Sequence, residues 1–464
     1  MDPALHRILQ ALGPDAQVVV VGGTVRDRLL GRTGGDWDLA TRLLPEAVLA
    51  RAQAAGVRAI PTGLKHGTVT LVEGGRTFEV TTFRGDGVYL DGRHPESVTL
   101  GVSLDQDLAR RDFTINAMAV PAEAMDREDW AAALVDPHGG RRDLEAGVIR
   151  AVGDPLARFG EDGLRCLRAC RFQAQLDFAI DPETRAAIPR RLEVAGKVAV
   201  ERVLAELTKL LCGPAPDRGL QSMAAAGLLD LWLPELRPMI GCTQNHHHRY
   251  PVWEHVLEVT RRAPPEPDLR WAALLHDCGK PAARTVDARG VHFKGHEPIS
   301  VAMAEAILAR LRAGQALTRQ VLALVRHHGT HPGPGWGDAA CRRFLKRLLE
   351  DRLPLERWAQ FRFADQAGKG FGEEPFRPAH EAMVARLEAL AAQAPPLAVE
   401  ALALDGRDLL ALSGRPPGPW LGQLQHHLME AVLEDPASNQ PEALGLRAQD
   451  WLGRHLHGRA GHAS

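Results

Sequence analysis

Apolar positions at the start of the chain follow the short periods of strands and small helices. They predict a buried strand, a helix and the two arms of a hairpin, over residues 16–23, 24–31, 67–73 and 76–83 in that order. The strand runs into the glycine pair Gly22-Gly23, and Gly74-Gly75 separates the two arms of the hairpin. We therefore expect an α/β opening region with a mainly antiparallel sheet.

The apolar spacing becomes helical after about residue 155, most clearly in 161–173 and 201–211. A third region is helical and rich in histidine, and the last region is helical with Pro/Gly breaks. The pattern predicts one α/β domain followed by all-α domains, over residues 1–142, 143–242, 243–370 and 371–464.

Bulk composition narrows the class of protein. A hydrophobic content of 45% and a charged content of 25% exclude wholesale disorder, and no apolar run approaches the roughly 20 residues of a membrane span. Six cysteines without a CxxC pair, and an N-terminus without a signal-peptide pattern, predict a reducing, cytoplasmic location. With a net charge of −2, any RNA-binding surface must be a local patch, built from arginine because lysine is scarce.

Two carboxylates, Asp36 and Asp38, stand two positions apart where a second strand is expected. Residues at i and i+2 on a strand share a face, so both can hold Mg²⁺ through oxygen ligands. Glu79 in the hairpin is the candidate for a third acid, and the N–H groups of Gly22 and Gly23 can receive a triphosphate. Taken alone, each motif is better explained by a solvated strand or an ordinary turn, but their order along the chain favours a phosphoryl-transfer site.

The segment 110–118, RRDFTINAM, combines cationic, acidic and amide groups in one short stretch. Its functional interpretation is contact with the phosphates and ribose of a nucleotide. The alternative is the charged start of a helix with an N-terminal cap.

Residues 17 to about 211 resemble the class II tRNA nucleotidyltransferases and bacterial poly(A) polymerases of the polymerase-β superfamily. The matching stretches, in chain order, are VGGTVRDRLLG, GDWDLAT, KHGTVTLV, EVTTFR, RHPESVT, LARRDFTINAMAV, DPHGGRRDL, RFGEDGLRCLRACRF and VERVLAELTKLL. The resemblance implies a polymerase-β-like head, of mixed and mainly antiparallel sheet with helices, followed by all-α neck, body, HD and tail domains.

The resemblance also implies roles for individual residues. It makes Asp36 and Asp38 the metal carboxylates, with Glu79 their neighbour on the catalytic sheet. It places five residues against the incoming nucleotide, the first three in direct contact and the last two near its sugar: Gly23, Arg26, Arg111, Asp112 and Asn116.

The stretch GEDGLRCLR resembles the segment of the family that selects the base. Asp162 and Arg165 stand three positions apart, which would put them on one helix face, where they can imitate a Watson–Crick edge for cytosine or adenine. The spacing alone favours a surface ion pair, and the flanking motifs favour base selection. Arg168 would lie on the adjoining face, whereas Arg171, also a nucleotide contact by resemblance, is half a turn from Asp162.

The chain departs from the family pattern at several positions. Gly163 stands where relatives usually carry alanine, which should loosen the helix by roughly 0.5–1 kcal/mol. Trp37 lies between the two metal carboxylates, and His94 replaces an arginine in the loop at about 84–96. Enzymes of the family that add only CC tend to lack this loop, so its presence favours full CCA addition or terminal A addition.

A second set of residues has the order of a metal site: His255, His276, Asp277 and Asp365. These donor types suit a divalent transition metal such as Ni²⁺, Mn²⁺ or Co²⁺. The set resembles the HD phosphohydrolase superfamily, whose four ligands it would supply. The alternative is a helical domain in which the histidines are merely satisfied core residues.

Further histidines surround this set. His296, with His327 or His328, would support a second metal or bind phosphate. Some tRNA nucleotidyltransferases that carry an HD domain hydrolyse 2′,3′-cyclic phosphates and 2′-phosphates, which the resemblance extends to this chain. The run 246–248, three successive histidines, has no explanation because adjacent helix positions diverge.

The chain is thus expected to be a Mg²⁺-dependent transferase that uses CTP and ATP, or ATP alone beside a separate CC-adding enzyme, on tRNA 3′ ends. Residues 404–446 resemble the tail that grips the acceptor arm, and Arg185, Arg190 and Arg191 are candidate phosphate contacts unless they form a solvated face. The alternatives are a poly(A) polymerase, or an HD metal phosphohydrolase whose head only binds RNA.

Overall fold

The computed structural model describes residues 2–32, 37–86, 98–333 and 335–456. The chain divides into two compact units, one of residues 1–237 with 310–312 and one of residues 238–309 with 313–464. Asp36 and His94 lie outside the described residues, as does most of the expected loop at 84–96. The finer division into four domains stays a prediction.

The strands of the first unit are β1 (Val19–Val21), β2 (Trp37–Thr41), β3 (Arg58–Gly63), β4 (Thr68–Glu73), β5 (Arg76–Thr82), β6 (Arg84–Asp86), β7 (Val98–Leu100), β8 (Ala119–Pro121), β9 (Val148–Ile149) and β10 (Ala179–Ile180). Six of them form one sheet in the order β3-β4-β5-β2-β1-β8. Neighbours in this sheet are antiparallel except β2 and β5, which are parallel. The expected mixed, mainly antiparallel sheet is confirmed.

Strands β4 and β5 form the predicted hairpin, with Glu73 paired to Arg76 across a two-residue turn. Gly74 and Gly75 have φ angles of +57° and +74°. Two successive positive φ values are what a tight turn of type I′ requires, and glycine adopts them without strain. The hairpin fixes the position of β5, which carries Glu79 beside β2.

The helices of the first unit are α1 (Pro3–Leu12), α2 (Gly23–Leu29), α3 (Pro45–Ala54), α4 (Leu104–Ala109), α5 (Gly140–Glu145), α6 (Pro155–Glu161), α7 (Leu164–Leu176), α8 (Pro182–Ala187), α9 (Leu192–Gly196), α10 (Val200–Leu211), α11 (Pro216–Ala225) and α12 (Leu228–Trp232). The central helix α7 packs against α10 and α11 and is buried along most of its length. Helix α8 follows Asp181, whose carboxylate accepts the N–H of Thr184, and Pro182 occupies its first turn.

The second unit is helical, as expected. Its elements are α13 (Val252–Arg262), α14 (Pro267–Leu275), α15 (Lys280–Ala283), a small hairpin of β11 (Thr285–Asp287) and β12 (Gly290–His292), α16 (His296–Arg310), α17 (Gln315–His327), α18 (Asp338–Glu350), α19 (Leu355–Ala367), α20 (Arg377–Ala392), α21 (Gly406–Ser413), α22 (Pro419–Glu434) and α23 (Pro441–Leu456). In the part of the chain that is described, no helix combines the length and apolarity needed to cross a membrane.

Candidate active site and metal centre

The acids Asp38 and Glu79 meet on the sheet of the first unit. They are direct partners in the parallel pair of β2 and β5, so both side chains belong to one face. Together with Arg110 and Arg111 they line a cavity of about 230 Å³. The pairing expected for Glu79 is therefore present, while Asp36 lies outside the described residues.

The glycine pair before α2 borders this cavity. Gly22 has a φ of +68°, and a Cβ atom built on it would lie 3.0 Å from Nη1 of Arg111 and 3.9 Å from Oδ2 of Asp38. The N–H of Gly22 donates to the carbonyl of Met118 at 3.3 Å, so the expectation that both glycine N–H groups face a phosphate is wrong for Gly22. Gly22 leaves space between the guanidinium group of Arg111 and the carboxylate of Asp38. Helix α2 begins at the next residue, Gly23.

The two arginines of the cavity are held by Asp107, a residue that the sequence analysis did not single out. Its carboxylate is 1% exposed and accepts from Arg110 at 2.8 Å and from Arg111 at 3.1 Å. Burial raises the pKa of Asp107, but the charges of the two arginines outweigh burial and lower it. Spacings of i, i+3 and i, i+4 around α4 are the sequence pattern that could have revealed this group.

A chain of buried polar contacts joins four of the predicted nucleotide-binding residues. Arg26 donates to Asn116 at 2.7 Å, Asn116 donates to Asp112 at 3.0 Å, and Arg168 donates to the other oxygen of Asp112 at 2.7 Å. Burial raises the pKa of Asp112, but the charge of Arg168 and the hydrogen bond from Asn116 outweigh burial and hold the pKa far below its usual range. The carboxylate therefore stays ionised and orients both neighbours.

The aromatic ring of Phe172 is surrounded by guanidinium groups. Those of Arg171, Arg26 and Arg168 lie 3.5, 5.2 and 5.3 Å from its centroid, within the range of cation–π attraction. Phe172 itself is buried on α7, and sequence reasoning passed over it because an apolar residue on an amphipathic helix is ordinarily core. It connects arginines from α2 and α7.

The base-selecting residues do not share a helix face, and that expectation is wrong. Asp162 lies in an extended conformation between α6 and α7, and its carboxylate accepts from Arg202 at 2.7 Å. Arg165, at the start of α7, donates to Glu161 and to the carbonyl of Arg110, the latter at 2.9 Å. The helix breaks because Asp162 turns its own side chain to the N–H of the residue that starts α7.

Arg171 is engaged within the helical part of the unit. It is 6% exposed and donates to Glu206 at 2.8 Å and to Gln175 at 2.6 Å. Burial lowers the pKa of Arg171 to about 10, with Arg168 adding to the effect. The other oxygen of Glu206 lies 3.6 Å from Nη1 of Arg168, so Arg171 is linked through Glu206 to the contacts that join Arg168 to Asp112.

In the second unit, the four predicted HD ligands lie within a small buried cluster. Nε2 of His255 is 3.3 Å from Nε2 of His276 and 3.3 Å from Oδ1 of Asp365, and Nε2 of His276 is 3.1 Å from Oδ2 of Asp277. Burial lowers the pKa of His255, whereas at His276 the charge of Asp277 outweighs burial and raises the pKa. The expected set is therefore assembled in space.

The second oxygen of Asp277 faces another pair of histidines. Its Oδ1 lies 3.3 Å from Nε2 of His296 and 3.5 Å from Nε2 of His328. His327 points elsewhere, with its Nε2 2.7 Å from Asp351. Of the two histidines that the sequence left open, His328 rather than His327 lies beside His296. The carboxylate of Asp277 therefore belongs to two adjacent groups of possible metal ligands.

The imidazoles of the cluster share one orientation. In each of them Nδ1 donates to a backbone carbonyl, which can only accept: His255 to Gly368 at 3.0 Å, His276 to Ala273 at 2.9 Å, His296 to Phe293 at 2.8 Å and His328 to Val325 at 2.6 Å. Each Nε2 is therefore left to face the cluster with its lone pair. This donor set fits a divalent metal ion.

The cluster opens into a cavity of about 310 Å³, whose walls carry both lysines and carboxylates, the latter including Glu297. Three of the seven lysines of the chain, Lys280, Lys294 and Lys369, line it. His248 also lines it, with its ring centroid 4.8 Å from that of His255, and burial lowers the pKa of His248 to about 2. One histidine of the run 246–248 is thereby placed at the predicted metal site, and the lysines of the cavity are groups that can pair with a phosphate ester.

Comparison with known protein families covers most of the chain. The model of the poly A polymerase head domain matches residues 18–150, and that of the "Probable RNA and SrmB- binding site of polymerase A" matches residues 177–240. The HD domain model matches residues 248–358, and that of the tRNA nucleotidyltransferase domain 2 matches residues 379–446.

Individual relatives extend over nearly the full length. The chain is 33% identical over 437 residues to a CCA-adding enzyme of Geobacillus stearothermophilus, covering 93% of this chain and 91% of the relative. It is 37% identical over 429 residues to an A-adding tRNA nucleotidyltransferase of Deinococcus radiodurans, covering 89% and 90%. A crystal structure of a Bacillus stearothermophilus CCA-adding enzyme in complex with CTP superimposes with a TM-score of 0.71 at 30% identity, covering 97% of this chain and 98% of that one.

Proposed function

Because this chain belongs to the family of tRNA nucleotidyltransferases, we propose that it transfers nucleotides from CTP and ATP, or from ATP alone, to the 3′ end of tRNA. The observation that carries the proposal is the direct pairing of Asp38 with Glu79 beside Arg111. Adjacent carboxylates that can hold divalent metal, next to a guanidinium that can hold phosphate, are the parts that phosphoryl transfer needs.

The head fits a divalent cation, for which Mg²⁺ is the proposed identity. Asp36 and Asp38 would hold it, with Glu79 beside them, and it supplies positive charge where the triphosphate reacts. Gly22 leaves room for the phosphates between Asp38 and Arg111. Binding a hard cation through carboxylate oxygens is consistent with the polar lining of this cavity.

The remaining polar residues position the nucleotide. Arg26 and Arg111 attract the phosphates, and Asp112 with Asn116 approach the sugar. The ionised carboxylate of Asp112 fixes Arg168 and Asn116 before the nucleotide arrives, which reduces the entropy lost on binding.

Asp162 and Arg165 are the proposed selectors of the base. Both are already engaged, Asp162 with Arg202 and Arg165 with backbone carbonyls, so each side chain is held in a defined direction. A carboxylate accepts from the exocyclic amine of cytosine or adenine, and uracil and guanine leave the buried groups unpaired.

The test of the head is Asp38→Asn against Asp129→Asn, an exposed aspartate outside the site. We expect Asp38→Asn to lower incorporation of nucleotide into tRNA by at least about a thousandfold, because the substitution removes a metal-binding charge. Asp129→Asn should keep the activity of the unaltered chain. Full incorporation by Asp38→Asn would contradict the proposed catalytic sheet.

The product distinguishes three forms of the activity. Transcripts of tRNA that end before CCA, after C and after CC are each offered CTP and ATP singly and together. Extension of all three to CCA identifies a CCA-adding enzyme, and extension of the last alone, by one A, identifies an A-adding enzyme with a separate CC-adding partner. An open-ended A tail would identify a poly(A) polymerase.

A second activity is favoured by the cluster of metal-binding side chains in the HD domain, where the shared carboxylate of Asp277 adjoins a cavity that three lysines help to line. With Ni²⁺, Mn²⁺ or Co²⁺ bound, this site is proposed to hydrolyse 2′-phosphates and 2′,3′-cyclic phosphates at RNA ends. His276→Ala should abolish phosphate release from a 2′-phosphorylated nucleotide and leave incorporation intact. Loss of incorporation in His276→Ala but not in Asp38→Asn would instead support a head that only binds RNA.

A further inference from the structure

A cavity of about 530 Å³ lies in the helical part of the first unit, away from the catalytic sheet. Residues of α7, α8 and α11 line it, together with Pro189 in the turn that follows α8. Its apolar walls come from Pro182, Pro189 and alanines, and its polar walls from amides and arginines. Of the described residues that line it, none is acidic. The volume is that of a small-ligand site, and the charge suits an anion.

Arg185, Arg190 and Arg191 are all candidate phosphate contacts by sequence, but the three differ in their position relative to the cavity. Arg191 is tied to the protein, donating to the carbonyl of Leu156 at 2.9 Å. Arg185 and Arg190 are both exposed, and neither forms an ion pair with another described residue. Only Arg185 lines the cavity. Its guanidinium is therefore a candidate partner for a bound phosphate, with Arg190 as a matched neighbour outside.

Two further polar groups of the cavity have unused hydrogen-bonding capacity. Gln173 is 8% exposed, and its Oε1 accepts from Ser222 at 2.5 Å, while its Nε2 has no partner among the residues that the structure describes. Arg218 forms an ion pair with Asp177, in which its Nη1 donates to the carboxylate and, at 2.8 Å, to the backbone carbonyl, while no described residue engages its Nη2. The amide of Gln173 borders the cavity, so its Nε2 can donate to a ligand that offers an acceptor there.

We propose that this cavity binds one unstacked nucleotide of the RNA substrate, with its phosphate at Arg185 and Arg218 and its base against the prolines and the amide of Gln173. The proposal rests on the proposed function, since it takes tRNA as the substrate. A nucleotide combines the three features that the cavity matches: a flat apolar face, acceptors on the base edge and a negative phosphate.

The test measures tRNA binding by the full chain over a series of salt concentrations. Each phosphate contact contributes roughly 0.7–0.9 to the slope of log K against log salt concentration. We expect Arg185→Gln to lower the magnitude of this slope by about that amount, and Arg190→Gln to leave it unchanged. Gln173→Leu should weaken binding about threefold to tenfold at every salt concentration without changing the slope, because it removes a neutral donor.

Unchanged slopes in Arg185→Gln, or equal losses in both arginine variants, would overturn the inference, and so would undiminished binding by Gln173→Leu. The same results are expected if the cavity takes a protein segment rather than RNA. Nucleotide incorporation by the unaltered chain is measured in the same preparations. Its absence would contradict the proposed function, whereas incorporation combined with unchanged slopes contradicts only the nucleotide-binding cavity.

Discussion

Phe172 interacts with charged side chains through its aromatic ring, since it has no polar side-chain atoms. Three arginines lie against it, and two of these, Arg26 and Arg168, belong to the proposed nucleotide site. An aliphatic side chain of similar size would fill the space without attracting a cation. The identity of this buried residue is therefore expected to affect selection and not only stability.

We expect Phe172→Leu to reduce the preference for CTP or ATP over UTP about fivefold, as the arginines lose a contact of roughly 1 kcal/mol. The measurement is the ratio of kcat/KM values for correct and incorrect nucleotides. Phe159→Leu, at another fully buried phenylalanine, is the control and should lose stability while keeping the preference. Equal preferences in the two variants would assign Phe172 to packing alone.

Site residues that belong to a short sequence motif could be predicted, whereas residues that come together only when distant segments pack could not. The i, i+2 spacing of two aspartates indicated Asp38, and the hairpin indicated Glu79. The parallel pairing of β2 and β5 brings these two residues together. Phe172 meets Arg26 only because distant segments pack, and no local pattern marks such a contact. The functional roles given to these residues remain predictions.

At the scale of elements, the junction of α6 and α7 shows where periodicity misleads. The apolar spacing continues through 161–173, yet the helix stops at Glu161 and restarts at Leu164. Asp162 and Gly163 interrupt it, since a short polar side chain competes for backbone N–H groups and glycine adds no packing. The first strand and the hairpin of the head were predicted closely because their patterns and turn residues agree, whereas strands such as β3 and β8 were not predicted.

Close packing, rather than helix propensity, explains why position 163 is a glycine. A Cβ atom there would lie 2.5 Å from the carbonyl group of Val194 and 2.6 Å from Cα of Ala195. Gly163→Ala should therefore destabilise the chain by about 1–3 kcal/mol, the opposite of the gain that the sequence suggested. Denaturant unfolding measures the change.

The matched substitution is Gly422→Ala in the exposed part of α22, where a Cβ would meet nothing within 4 Å. This variant should gain roughly 0.5–1 kcal/mol, as alanine is favoured over glycine in a helix. A gain in Gly163→Ala as well would show that α9 can move away from the junction.

At the scale of the whole molecule, the change from an α/β head to helical regions was evident from the sequence because strands and helices have different apolar periods. The α/β head, the helical segments and the histidine-rich region follow one another as expected. The position of His248 beside His255 was not predictable, because the segment before α13 is not helical and its three histidines need not diverge regularly.

Metal binding should be visible in the stability of the second unit. A ligand that binds only the folded state adds RT ln(1 + [L]/Kd), which is about 2.7 kcal/mol at a hundredfold excess over Kd. We expect Ni²⁺, Mn²⁺ or Co²⁺ to raise the unfolding temperature measured by calorimetry, and a chelator to reverse the rise. His276→Ala should not respond. An equal rise in that variant would place the bound ion elsewhere.

The contacts that run from Arg26 through Asn116 and Asp112 to Arg168 have a kinetic consequence. In the proposed site, a mismatched base that displaced Arg168 would also free Asp112 and Asn116, and would weaken the contact of Arg26 with the opposite end of the nucleotide. Errors would then be suppressed at the bond-forming step as well as at binding. At a saturating concentration of UTP the site would be occupied, and the rate of UMP incorporation would still be low.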